Sequence, residues 1–123
     1  MVDKILIPLY DSNHGNQLIN IQQYLIENQP ATIAVKCGNQ SMNDAGISTG
    51  DILIVDRSID AGNNHIVMAD IGNAFAIRRL VTIDGTSWLN SENSSASFDN
   101  YIFQPDKNME IVGVVTFVIK SLK

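Results

Sequence analysis

The sequence predicts a mainly β fold, a single domain of antiparallel strands with one helix near the N-terminus. Three observations carry this. Runs rich in Val, Ile and Leu recur along the chain, and branched side chains fit a pleated, half-buried surface. Turn signals separate them, among them Gly72-Asn73 and Asp84-Gly85. Helical spacing is carried by one segment, with Leu18, Ile21 and Leu25 at i, i+3 and i+7 and Ile26 adjacent.

In chain order, residues 3–9 read as a short apolar strand stopped by Pro8. Residues 10–17 are polar and turn-rich and read as a mobile linker. Residues 1–17 are therefore assigned as an N-terminal arm, and 18–123 as the folded domain. Asn20 with Gln23 three residues on resembles a capping box. The spacing predicts a helix over about 20–28, ended by Pro30, since the residue before proline is pushed out of helical geometry. Residues 32–36 alternate weakly. Residues 52–56 are continuously apolar, as in a strand buried on both faces. A turn containing Gly62 leads to a hairpin over 66–80, folded at Gly72-Asn73. Residues 81–83 and 86–89 read as a second hairpin, with Asp84-Gly85 in its tight turn. Residues 90–100 are too polar for a core element and read as a loop. Residues 101–103 read as a short edge strand before Pro105, and 110–120 as a long final strand.

At 123 residues with 45% hydrophobic content, the chain fits one domain with its own core. No apolar run is long enough to cross a bilayer, and the first residues lack a secretory pattern. A cytoplasmic protein is expected. The net charge is −5, and the eight basic residues are scattered, with Arg78-Arg79 the one adjacent pair. No basic stripe is available to neutralise phosphates, so direct DNA binding is not expected. An acidic surface favours basic protein partners instead. The single cysteine, Cys37, excludes an internal disulfide, and a buried, inert thiol is expected. His14 and His65 have no ligand-type neighbours at metal spacing. Neither a metal nor another cofactor is expected.

Residues 39–58 are the chemically informative stretch. A small polar turn with Ser41 and Met42 leads, through Gly46 and Gly50, into the 52–56 strand. Serine at a tight turn beside free backbone N–H groups is how a nucleophile and its oxyanion hole are built together. Such residues also make ordinary surface turns. The full pattern is more specific. Ser41-Met42, Ala45-Gly46-Ile47, Gly50-Asp51 and Ile54-Val55-Asp56-Arg57-Ser58 resemble the nucleophile segment of the LexA/UmuD family of self-cleaving serine-lysine peptidases. The resemblance runs from about Ile19 to the C-terminus and lies nearest the UmuD branch. It implies the peptidase domain fold, Ser41 at the nucleophile position, and the backbone N–H groups at Ser41 and Met42 as oxyanion donors.

The family's general base is a lysine made neutral by burial. In the matching segment, Ala74-Phe75-Ala76-Ile77-Arg78-Arg79-Leu80, the lysine position holds Arg78. Guanidinium stays protonated far above neutral pH, and neutralising it near pH 7 costs about 8 kcal/mol. Arg78 is expected to remain charged, to seek a carboxylate and, if it faces Ser41, to hold the cleft shut. Alternation puts Arg78 and Arg79 on opposite faces. Two further departures point the same way. The family's Ala-Gly or Cys-Gly cleavage pair has no suitably placed counterpart, since Cys37-Gly38 lies too near Ser41. Asn64-His65 stands where the family carries Gly-Asp, with His65 read as a strand-end residue.

The resemblance thus implies a UmuD′-like accessory protein of the SOS response and translesion synthesis, with an inactive site. Its implied partners are a UmuC-like Y-family DNA polymerase, RecA filaments and a second copy of the chain through strand 110–120. One alternative is an active autopeptidase using Ser41. Another is a dimerising regulator related to phage repressors, which the lack of a helix-turn-helix pattern weakens.

Overall fold

The computed structural model describes residues 5–123. Two sheets form, both antiparallel. The first is a hairpin of β1 (Ile7–Asp11) and β2 (Gly15–Ile19). The second has seven strands: β3 (Thr32–Lys36), β4 (Ile52–Asp56), β5 (Ile66–Asp70), β6 (Phe75–Ile83), β7 (Thr86–Asn90), β8 (Tyr101–Ile102) and β9 (Glu110–Ile119). Their spatial order is β3-β4-β9-β5-β6-β7-β8. The mainly β architecture with one helix is as the sequence predicts.

Several elements follow from single residues. Asn20 caps the helix α1 (Ile21–Leu25), its side chain accepting from the Gln23 N–H at 3.0 Å. The helix is shorter than the 20–28 expected, because Ile26 is already extended (φ −120°). Pro30 instead sits inside a 3-10 turn over Gln29–Ala31. Asp84 and Gly85 both have positive φ, 50° and 79°, the geometry a two-residue hairpin turn demands. Asn64 also turns the chain at φ 74°. The segments read as Ala74–Leu80 and Val81–Ile83 are one nine-residue strand, β6, shared by both hairpins. β8 lies at the sheet's edge, and 91–100 carry no strand or helix.

The segment at 10–17, expected to lack structure, supplies the turn and facing halves of the β1–β2 hairpin. Pro8 does not end β1, because a two-stranded sheet leaves its outer N–H side unneeded. The strand expected over 3–9 begins at Ile7, and its positions 3 and 4 lie outside the described residues.

The core lies on both faces of the large sheet. Cys37, Met42, Ile47, Leu53, Val55 and Met68 form one cluster. Val67, Ala69, Leu80, Leu89 and Val114 form the other. Strand alternation sorts β5 between them, with Val67 and Ala69 on one side and Met68 on the other. The first cluster is roofed by the 37–47 segment, so the Ser41 turn is part of the core's lid. β9 is a central strand, paired to β4 and β5. Beyond Val114 its pairing is to β4 alone, so the far half keeps one free edge. Gly113 permits the close approach of β9 to the end of β4: a Cβ there would meet Asp56 O and Val55 Cγ1 at 2.8 Å.

Candidate functional site

The Ser41 turn is fixed from both ends. On one side, Cys37 N–H donates to Asp51 O and Gly50 N–H to Cys37 O, each at 2.8 Å, extending the β3–β4 pairing past Lys36. On the other, a 3-10 turn over Asn43–Ala45 ends at Gly46 in the left-handed region, φ 84°. Met42 and Ile47, 1% and 0% exposed, plug the core from the turn. Burying such side chains stabilises by about 1.5–3 kcal/mol each, which anchors the backbone on which Ser41 sits. Ser41 itself is buried.

A second loop clamps this turn. Glu92 N–H donates to Ser41 O at 2.8 Å, and Asp44 N–H donates to Glu92 O at 2.9 Å. Asn93 Nδ2 donates to Gln40 O, and Ser94 N–H to Asp44 Oδ2. The loop is held in turn by Arg79, whose Nε and Nη2 grip the Glu92 carboxylate at 2.7 and 3.0 Å. Arg79 Nη1 also donates to Asn64 O. The Glu92 carboxylate keeps the Arg79 guanidinium above its ordinary pKa.

Arg78 reaches the site from β6. Its Nη1 donates to Ser41 Oγ at 2.9 Å and to Ile77 O at 2.8 Å. Its Nε donates to Asp99 O at 3.0 Å. The guanidinium carbon lies 5.5 Å from the centre of the Tyr101 ring, within cation–π range. Arg78 is 5% exposed. Burial lowers its pKa, and Tyr101 and Asp99 oppose that shift. The expected carboxylate partner is absent: among the described residues no carboxylate lies within ion-pair distance of Arg78. Two carbonyls, a hydroxyl and a ring face take that place.

Ser41 and Arg78, 37 positions apart in sequence, are thus in direct contact. The chemistry of that contact is one-way. Arginine has no acceptor atom, so Ser41 Oγ accepts and its own proton points elsewhere. Of the two backbone donors beside it, Ser41 N–H is taken by Asn39 Oδ1 at 2.9 Å. Met42 N–H has no acceptor among the described residues. Arg79 faces away from Arg78, as alternation requires. His65 Nδ1 accepts from Gly62 N–H at 2.9 Å and closes the turn before β5. Cys37 is buried, with Sγ directed at Asn39 O.

Asn39, Glu92, Asp99 and Tyr101 complete the site, and sequence reasoning missed all four. Asn39 carried a signal, because Asn two residues before a turn amide commonly bonds it. Asp99 acts through its backbone carbonyl, which no sequence pattern marks.

A groove of about 240 Å³ runs beside the site, between Val35–Asn39 and Phe75–Ile77, with Met68 between them. Its lining includes Asn39 and Ile77, whose Oδ1 and carbonyl oxygen accept from Ser41 N–H and Arg78 Nη1. A larger cavity of about 430 Å³, lined by Arg57, Asp60, Asn63, Thr82 and Phe103 among others, includes none of the site residues. Among the described residues no group of three His, Cys or carboxylate side chains stands together, and no helix is long and apolar enough to cross a membrane.

The sequence profile of the peptidase S24-like family matches residues 6–116. Protein MucA of Salmonella typhimurium is 37% identical over 104 residues, which are 84% of this chain and 69% of that protein. Protein ImpA of Shigella flexneri is 32% identical over 108 residues, 88% of this chain and 72% of that protein. The LexA repressor of Cupriavidus necator is 29% identical over 114 residues, 93% of this chain and 51% of the repressor.

Proposed function

The chain belongs to the S24-like peptidase family, and from that premise we propose that it is a UmuD-type accessory protein of the SOS response whose serine site no longer cuts. Peptide cleavage begins when a base takes the serine proton as the oxygen attacks a carbonyl. By the family pattern, Arg78 occupies the position of that base. One observation carries the reading: Arg78 Nη1 donates to Ser41 Oγ at 2.9 Å. A lysine in its neutral form would accept the hydroxyl proton there. Arginine can only donate, so it holds the oxygen without activating it.

In this role the fold acts as a binding module. The family pattern supports a homodimer through strand 110–120, a Y-family polymerase of the UmuC type as client, and RecA filaments nearby. The free edge of β9 beyond Val114 and its exposed Val118 and Ile119 support the dimer. The acidic net charge supports protein rather than DNA partners. A second reading, slow cleavage through an unrecognised base, is favoured by the free Met42 N–H, because oxyanion donors alone leave residual catalysis when a triad member is lost.

The test supplies a peptide containing the family's Ala-Gly cleavage pair in trans to wild type, Arg78→Lys and Ser41→Ala, and weighs the products. The expected result is cleavage by Arg78→Lys alone. Cleavage by wild type that Ser41→Ala abolishes makes the protein a working peptidase.

A further inference from the structure

We infer that the cavity between the 57–63 loop and the large sheet takes a small zwitterion with an apolar body, of amino-acid or dipeptide size. The inference is independent of whether Ser41 cuts, since Ser41, Met42 and Arg78 do not line that cavity. Its volume is about 430 Å³, towards the small end of ligand pockets, which run from about 300 to about 1,000 Å³.

The loop that walls the cavity is held along its length. At its start, Asp56 Oδ1 accepts from the Ser58 N–H and Oγ at 2.8 and 2.6 Å, and Arg57 N–H donates to Ala31 O at 2.9 Å. Further on, Gly62 N–H donates to His65 Nδ1, and His65 N–H donates back to Gly62 O. At its end, Thr82 N–H donates to Asn63 Oδ1 at 2.9 Å, and Asn64 N–H to Leu80 O at 2.7 Å. A pocket walled in this way is preorganised, so little ordering entropy is lost when a ligand enters.

The lining sorts by chemistry. Leu80, Phe103 and Ile111 belong to the second core cluster or pack against it, and they give the cavity an apolar wall. Arg57 and Asp60 bring one positive and one negative charge to the same cavity. Both are exposed, and among the described residues neither has an ion-pair partner, the other of the two included. Arg57 donates through Nε alone, to Ala31 O at 3.4 Å, so its Nη groups have no acceptor among the described residues. Asn63 has its carbonyl oxygen engaged by Thr82, which leaves its Nδ2 to donate. A cation and an anion held apart beside hydrocarbon match a ligand with a carboxylate, an ammonium and an apolar side chain. A phosphate would meet the Asp60 carboxylate, and an uncharged hydrocarbon would leave both charges unused.

The test is a titration of the full chain followed by amide proton–nitrogen NMR. The probes are L-leucyl-L-leucine, its N-acetyl form, its C-terminal carboxamide, and L-leucine. The free dipeptide is expected to shift the amides of Asn63, Ser87 and Phe103 in a saturable way. Blocking either charge is expected to weaken binding at least about threefold, as an exposed charge pair implies. Arg57→Gln is expected to erase the difference between acid and carboxamide. Asp60→Asn is expected to erase the difference between free and acetylated amine. Leucine binding as tightly as the dipeptide upholds the proposal with the smaller ligand, and weaker leucine binding upholds it with the larger. No saturable shift at those amides overturns the proposal. Equal affinity for all three dipeptide forms also overturns it, because the two charges then take no part. The wild-type comparison of probes decides this without any variant.

Discussion

Ser41 Oγ is the point on which the site's chemistry turns, and its neighbours decide what it does. It gives Arg78 one of its few polar contacts, so removing it leaves a buried charged donor short of a partner. Ser41→Ala is expected to cost about 1.5–3 kcal/mol, read by urea denaturation with an unchanged slope. Glu92 is different. Its pair with Arg79 has both side chains 30% exposed, so Glu92→Gln is expected to cost about 1 kcal/mol or less. Its effect should instead appear as faster hydrogen exchange at the Glu92 and Asp44 amides, which hold the Ser41 turn. Asp51 sets a pH dependence. Bonds from Lys120 and the Ser48 N–H hold its carboxyl below the usual range. A depressed pKa contributes stability above the unfolded value of about 3.9 and loses it as pH falls through the folded value. The melting temperature is therefore expected to be flat above about pH 5 and to fall below about pH 4. Asp51→Asn should lower the plateau and reduce that fall. No loss of stability on acidification would contradict the assignment.

At the scale of elements, what the sequence disclosed depended on how much each element buries. β4 was legible because Leu53, Ile54, Val55 and Asp56 are all buried, and such a strand reads as one apolar run. The β6–β7 turn was legible because Asp84-Gly85 is a local signal. The β1–β2 hairpin was not, because most of its residues are exposed and nothing imposed an in–out pattern on 10–17. The helix start was legible in Asn20, but its end is set by extended backbone at Ile26 rather than by Pro30. The close approach of β9 to the end of β4 depends on contact distance, and its trace in sequence is a lone glycine. Gly113→Ala is expected to cost about 1–3 kcal/mol, because the added methyl meets backbone and a buried valine. A neutral effect in thermal unfolding would show that the two strands do not pass as closely as described.

At the scale of the whole molecule, the family was legible because its nucleophile segment is contiguous, while the site is not. Ser41 and Arg78 were each identifiable, but the Asp99 carbonyl, Tyr101 and the Glu92 clamp reach the site from distant parts of the chain only in the folded structure. The sequence left open whether Arg78 faces Ser41, and the structure places the two in contact; the carboxylate expected beside Arg78 is not among the described residues. In the proposed dimer, Val118→Lys with Ile119→Lys is expected to convert a dimeric species to a monomer in sedimentation velocity; an unchanged species would place the interface elsewhere. The claim at the centre is that Arg78 holds Ser41 without activating it. Labelling with a fluorophosphonate, read by intact mass from about pH 7 to pH 10, tests it most directly, since arginine stays protonated throughout while a buried lysine does not. Wild type is expected to gain no adduct, and Arg78→Lys to gain one adduct at Ser41 that grows with pH. An adduct at Ser41 of the wild type, absent from Ser41→Ala, would contradict the account.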